Sequence, residues 1–321
     1  MSGNDAWGKG TFDPPGEWRR LVPVIQDEKG PVMVLGAPDT GKTSLIRFLA
    51  RELSARGERV AYIDGDMGQS ILGPPTTQGV ALVGAPWGAG GVPQAGELYF
   101  VGSTSPRGHR VETLIGLKKL LERCLVDRGR VALIDTTGYV TGEDAIELKY
   151  QKLDLLGPRH ILALQRDGEL EPLLRIQEGL EGGVIHRLPC LPPVRIRSQQ
   201  ERRNYRWSRF KEYFRRVRFH EVDLRRTGLT GTHRRKIEGG GQGELEGLLV
   251  GLNGPDNFLV ALGIVEKLSR REGVLVCVVP SQADLGRVRT VRLGSVRLDL
   301  SEDSDGERPV GPGGIPALSP F

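Results

Sequence analysis

Cysteine is scarce in this chain, and its few copies stand apart. Cys124, Cys190 and Cys277 are the three thiols of 321 residues, and no two have a C-x-x-C spacing. That argues against a disulfide framework or a cysteine-built zinc site, and buried thiols are expected instead. Long apolar runs are missing too: no stretch reaches eighteen successive apolar residues, and no signal-like segment opens the chain. A soluble, intracellular, cytoplasmic protein with no membrane association is therefore expected. There is no internal repeat and no Asn/Thr-Lys-x-Asp segment of the guanine-selecting kind. Acids run short in one region. From 187 to 236, sixteen Lys and Arg face four Asp and Glu, a balance of +12, whereas the remaining 29 basic and 36 acidic residues balance at −7.

The positive features begin at residues 36–43. Gly36-Ala37-Pro38-Asp39-Thr40-Gly41-Lys42-Thr43 matches the phosphate-loop pattern G-x-x-x-x-G-K-[ST] at every required position. An apolar run, Pro31 to Leu35, precedes it as a strand, and Ser44 to Ala50 follows with helical spacing. A loop so placed turns backbone N–H groups toward a phosphate, with a helix N-terminus behind them. Gly36 to Ser44 are thus expected to bind a nucleoside triphosphate. Lys42 reaches its β- and γ-phosphates, and the Thr43 hydroxyl holds Mg²⁺.

Two further strands end in acids. Arg59 to Ile63 runs into Asp64-Gly65-Asp66, and Arg130 to Ile134 runs into Asp135-Thr136-Thr137. Carboxyl ends of neighbouring parallel strands open onto one crevice, so these acids are expected to face the triphosphate. One carboxylate can hold a Mg²⁺-bound water while another accepts a proton from an incoming hydroxyl. The blander alternative is that one of Asp64 and Asp66 caps the following turn. Asp66 and Asp135 both suit the metal, and periodicity does not rank them.

Asp64-Gly65-Asp66-Met67-Gly68-Gln69, Gly102-Ser103-Thr104-Ser105-Pro106 and Asp135-Thr136-Thr137-Gly138-Tyr139-Val140 follow one another in this order. A fourth block runs from Arg197-Ser198-Gln199-Gln200-Glu201-Arg202 through Tyr213-Phe214. Together with the phosphate loop they make the chain resemble the polynucleotide 5′-hydroxyl kinase family, which includes the RNA kinase of the eukaryotic pre-mRNA cleavage complex and the kinases of ribosomal RNA processing. The resemblance runs from about Trp18 to about residue 300. It implies an ATP-dependent transfer to the 5′-OH of RNA or DNA, on single strands or duplex ends. Under it, Asp64 and Asp66 handle the hydroxyl and the metal, and Arg197 and Arg202 are lid arginines that close over the transferring phosphate. Ser103, Thr104 and Ser105 belong to a clasp on the terminal nucleotide, with Gln69 and Arg206 as further nucleic-acid contacts. Tyr139 stands where cleavage-complex relatives have Trp and still offers a face for stacking, worth about 1–3 kcal/mol. Trp18 either covers the adenine or packs in the core, and both readings stay open. With only about thirty residues ahead of the first strand, no counterpart of the eukaryotic relatives' N-terminal domain is expected.

The Arg-rich block interleaves Tyr205, Trp207, Tyr213 and Phe214 with its cations. That is the footprint of a single-strand binder, with Arg215 and Arg216 as charges that track the strand. The alternative, a solvated salt-bridged helix, would need acids this block lacks. Arg197 and Arg202 are five apart, so both serve one phosphate only if the chain bends between them, with Ser198 capping the next helix.

The expected fold is α/β: a P-loop NTPase with a doubly wound, mostly parallel sheet and a small C-terminal β-domain. Residues 1–20 are expected to be flexible, 21–220 to form the kinase domain with its lid at about 187–218, 221–300 the β-domain, and 301–321 a disordered tail. Gly239-Gly240-Gly241 marks a linker or hairpin. Two other classes compete: a P-loop GTPase or ATPase that switches protein assembly, and a nucleic-acid-binding subunit with structural ATP. Protein partners are left open.

Overall fold

The computed structural model describes residues 13–83, 94–125, 130–180, 182–190, 196–231, 245–269, 271–299 and 307–309. In chain order the first elements are α1 (Gly16–Asp27), β1 (Pro31–Gly36), α2 (Lys42–Ala55), β2 (Val60–Gly65), β3 (Thr77–Val83), β4 (Glu97–Phe100), α3 (Arg110–Leu125) and β5 (Val131–Thr136). Then come α4 (Glu143–Leu156), β6 (His160–Gln165), α5 (Glu171–Glu178), β7 (Val184–Pro189) and α6 (Gln199–Tyr213). The last are β8 (Val217–Asp223), β9 (Gly228–Gly231), β10 (Leu248–Asn253), β11 (Leu259–Ser269), β12 (Val274–Pro280), β13 (Thr290–Leu298) and β14 (Glu307–Pro309). These elements gather into two units, one drawn from residues 1–66, 80–96 and 117–196, the other from 67–79, 97–116 and 197–321.

The first unit is built on continuous apolar strands. β1, β2 and β5 are buried along almost their whole length, as strands covered on both faces must be. β1 pairs in parallel with β5 on one side and β6 on the other, β5 with β2, and β6 with β7. The order is therefore β3-β2-β5-β1-β6-β7, and the chain winds outward from β1 in both directions. This is the expected doubly wound α/β fold, and it puts the switch point at the carboxyl end of β1, where the phosphate loop begins.

Helix α1 buries Trp18, Leu21, Val22 and Ile25, one face at i, i+3, i+4 and i+7. The Trp18 ring meets Phe48 of α2 with centroids 5.9 Å apart. Flexibility through residue 20 is therefore corrected: the helix starts at Gly16, and residues 1–12 lie outside the described residues. Pro14 and Pro15 precede the helix and Pro23 stands inside it, and these prolines argue against a helix when the sequence is read alone.

The second unit is dominated by an almost wholly antiparallel sheet in the order β14-β13-β10-β11-β12-β8, with β9 added in parallel to β13. Side chains alternate across it. Val250, Leu252, Leu275, Cys277, Val279, Val291 and Leu293 share one core, while Leu249, Leu262, Ile264, Val296 and Leu298 pack on the other face against Trp207, Phe210 and Phe214. Burying a side chain such as Phe210 stabilises by roughly 1.5–3 kcal/mol, and this is what ties α6 to the sheet. Gly251 is required: a Cβ there would lie 2.5 Å from the Phe100 ring. β14 gives a correction in the tail, where residues 307–309 pair with β13; the rest of 300–321 and Gly239 to Gly241 lie outside the described residues.

Cys124 and Cys277 are buried thiols, pushed up by burial to about 11 and about 12, and Cys190 is half-buried. Among the described residues no helix is long and apolar enough to cross a membrane.

Candidate functional site

The phosphate loop turns at the end of β1. Asp39 has φ 56° and Gly41 φ 95°, the left-handed steps that release the chain into α2. Thr40 donates its hydroxyl to the Ala37 carbonyl at 3.0 Å, and Lys42 Nζ donates to the same oxygen at 2.7 Å. Thr43 Oγ1 donates to Asp135 Oδ2 at 2.7 Å, while Thr136 N donates to Asp135 Oδ1 at 2.9 Å. The loop and the β5 acid are thus locked together.

Parallel pairing sets the acids side by side, because Asp64 of β2 lies in register with Asp135 of β5. Asp64 is buried and accepts the Asp66 backbone N–H at 3.3 Å, so it does serve the turn. Burial raises the Asp135 carboxyl, and Asp66 adds to this; Lys42 and the Thr43 hydrogen bond oppose it. Tyr62 beneath them is pushed well up by burial and by Asp64 and Asp135.

Three cations that sequence reasoning missed belong here. α4 buries Ala145, Leu148, Lys149, Lys152, Leu153 and Leu156, a single helical stripe with two lysines in its middle. Lys149 Nζ donates to Thr136 Oγ1 at 2.8 Å and to the Thr137 carbonyl at 2.6 Å, and Thr136 Oγ1 donates on to the Val34 carbonyl at 2.8 Å. Burial, then Lys152 and Lys42, hold Lys149 well below the usual lysine range. Lys152 makes no hydrogen bond among the described residues, and burial lowers it to about 8 against an opposing pull from Asp66. Their signal was a charge placed inside an apolar stripe. The third is Arg166, past the end of β6, which donates to the Asp39 carbonyl at 2.7 Å and the Pro38 carbonyl at 3.4 Å.

Thr137 and Gly138 complete the loop's wall. A Cβ on Gly138 would come within 2.6 Å of Pro38 N, so only glycine lets the segments approach so closely. Tyr139 follows, half-buried. Trp18 is fully buried against Phe48, so the adenine-covering role is replaced by a core role.

Oxygen donors fit Mg²⁺: Thr43 and Asp135 are already in contact, with Asp66 on the same strand-end side. Among the described residues no group of three or more His, Cys, Asp or Glu forms a metal cage. Mg²⁺ needs none, since it is usually held by one or two carboxylates, waters and substrate phosphates.

In the second unit, Ser198 caps α6 through a full capping box with Glu201, so the chain bends between Arg197 and Arg202 as the spacing requires. Arg197 Nη1 donates to Gln69 Oε1 at 3.2 Å, and Gln69 Nε2 donates to the Gly68 carbonyl at 2.8 Å and the Arg202 carbonyl at 3.4 Å. Tyr205 and Arg209 bind the Ser70, Ile71 and Gly73 carbonyls. Gln69 and the two lid arginines are thereby brought together. The Gly102–Pro106 turn is held by Gly102, whose carbonyl accepts Ser295 N at 2.8 Å. Ser103 Oγ and Ser105 Oγ accept the backbone N–H of Ser105 and of Arg107. Ser103 is buried there, and Thr104 and Ser105 are half-exposed. Arg206 is half-buried on α6; Arg215 and Arg216 are exposed.

Comparison with known proteins identifies the family. Residues 36–216 match the family described as mRNA cleavage and polyadenylation factor CLP1 P-loop. A protein of Pyrococcus abyssi named polyribonucleotide 5′-hydroxyl-kinase is 31% identical, the match covering 90% of this chain and 94% of that one. One of the same name from Thermococcus kodakarensis is 30% identical over the same shares. Among solved structures, wild-type Clp1p in complex with Pcf11p superposes with a TM-score of 0.64 at 16% identity, covering 87% of this chain and 77% of that one, which shows the shared fold. The chain belongs to the CLP1 P-loop family.

Proposed function

We propose that this chain is a cytoplasmic, ATP-dependent polynucleotide 5′-hydroxyl kinase that moves the γ-phosphoryl of ATP onto the 5′-OH of an RNA or DNA end. The observation that carries it is the lock between Thr43 and Asp135 at 2.7 Å beside Lys42, in a chain whose archaeal relatives bear that enzyme's name. RNA is favoured because those names specify a polyribonucleotide.

Phosphoryl transfer asks mainly for positioning and charge neutralisation, because its transition state is loose. The loop amides of Gly36 to Ser44 and Lys42 hold the β- and γ-phosphates in line with the acceptor. Thr43, Asp135 and Asp66 would hold Mg²⁺, whose charge would offset that of the phosphates. Asp64 accepts the proton of the 5′-OH, the role its shielded position suits. Arg197 and Arg202 offset the charge spread over the equatorial oxygens. Gln69, Ser103, Thr104, Ser105, Tyr139 and Arg206 hold the terminal nucleotides.

The test is incubation with γ-labelled ATP and 5′-hydroxyl RNA or DNA oligonucleotides, followed by end analysis. Label on the 5′ end, removable by phosphatase, is expected, with RNA the better acceptor. ATP or GTP hydrolysis without label transfer would instead indicate an assembly switch.

A further inference from the structure

After α6 the chain presents five successive exposed residues, Arg215-Arg216-Val217-Arg218-Phe219. Phe219 is 66% exposed and Val217 43%, though both lie on a strand. β8 ends the sheet order and pairs with β12, placing Phe219 opposite Val278 and Val217 opposite Pro280. The period of two puts Val217, Phe219 and Glu221 on one face and Arg218 and Val222 on the other, where Val222 enters the core. Phe219 is therefore held by a fixed backbone and left two-thirds exposed among the described residues. Its cations are equally uncommitted: Arg215, Arg216 and Arg218 form no ion pair among the described residues, and Arg218 spends one donor on the Ala283 carbonyl at 3.0 Å. Glu221 and Asp223 lie further along β8, and Asp223 is engaged by Arg225.

An exposed aromatic among unpaired guanidiniums has the two properties a single-stranded polynucleotide selects: a face on which any base stacks, and charges for its phosphates. An apolar peptide would leave the arginines without counter-charge. We propose that the start of β8 is a single-strand binding surface, with a base stacked on Phe219 and phosphates on Arg215 and Arg216, which lead into the strand. It rests on the polynucleotide reading of the function and adds a stacking site to the tracking charges.

The test measures binding apart from catalysis. Fluorescence anisotropy of a single-stranded RNA that already carries a 5′-phosphate gives Kd for wild type, Phe219→Ala, Phe219→Trp and Arg215→Gln at two salt concentrations. Phe219→Ala is expected to weaken binding about 5- to 100-fold, and Phe219→Trp to retain it. Arg215→Gln should reduce the salt slope by about 0.7. With unchanged melting temperatures, a Phe219→Ala affinity equal to wild type overturns the proposal, as it would if a protein partner used this face; so does wild-type protein that binds no strand. Wild-type label transfer to 5′-hydroxyl RNA is scored on the same preparations. Failure there with Phe219-dependent binding sinks the kinase reading alone, and transfer with Phe219-independent binding sinks the surface alone.

Discussion

Thr43 and Asp135, ninety-two positions apart, meet through Oγ1 and Oδ2 at 2.7 Å, the first on the phosphate loop and the second at the end of the neighbouring strand. The contact favours Asp135 as the principal metal acid, since the loop threonine already donates to its carboxylate. Asp135→Asn is expected to lower kcat more than Asp66→Asn does. The Asp135 carboxyl is raised above its ordinary value, so its charged form is the one the fold disfavours. Stability it contributes below the unfolded carboxylate pKa is lost as pH rises through the folded value. Asp135→Asn should therefore raise the melting temperature at neutral pH even as it removes activity. Thermal melts beside steady-state kinetics check both signs, and a larger kinetic loss in Asp66→Asn would reverse the assignment.

Asp64→Asn keeps the shape that accepts the Asp66 N–H but loses the charge. A loss of about 10²-fold or more in kcat is expected, the scale of general-base contributions. Single-turnover measurement shows whether the chemical step carries it.

Lys152 gives a stability prediction of its own. It is lowered from 10.5 to about 8 by burial, a penalty of about 3 kcal/mol when charged. For a base with a depressed folded pKa, the unfolded chain binds more protons between the two values, so stability rises with pH across roughly 8 to 10.5. Lys152→Met should be more stable than wild type at neutral pH and should lose that slope. Denaturant titrations at several pH values measure it.

Lys149 is bonded where Lys152 is not, so its loss should act differently. Lys149→Met frees Thr137, whose neighbour Gly138 lies against Pro38 of the phosphate loop. A several-fold rise in KM for ATP is expected, with partial recovery in Lys149→Arg. Unchanged ATP kinetics in both variants would reduce Lys149 to a packing element.

Arg197 and Arg202 differ from Arg215 and Arg216 in what they can touch. Alanine at either of the first two should lower kcat strongly and ATP binding weakly. Alanine at either of the second two should raise KM for the oligonucleotide and flatten its salt dependence, leaving kcat nearly intact. Ser198→Ala tests the frame: loss of its cap should cost about 1 kcal/mol of stability.

Much of this was legible in sequence where it is local. The phosphate loop, the strands ending in Asp64 and Asp135, α4 at Glu143–Leu156 and the Ser198 cap all follow from runs of a few residues. Helix α1 was not, since Pro14, Pro15 and Pro23 read as helix breakers although the period that buries Trp18 is intact. The buried lysines were not, because a charge in an apolar stripe reads as solvated until its neighbours are known. The second unit's membership was not either. Residues 67–79 and 97–116 join it through contacts remote in sequence, such as Phe100 against Gly251.

The central claim is transfer through the phosphate loop, and Lys42 is its sharpest probe. The decisive measurement follows γ-labelled ATP with 5′-hydroxyl RNA on wild type and Lys42→Ala, counting ADP formed against label on the RNA 5′ end. One labelled end per ADP is expected for wild type, and neither product for a Lys42→Ala protein that melts like wild type. Wild-type ADP without labelled ends, or full transfer by Lys42→Ala, would overturn the kinase assignment.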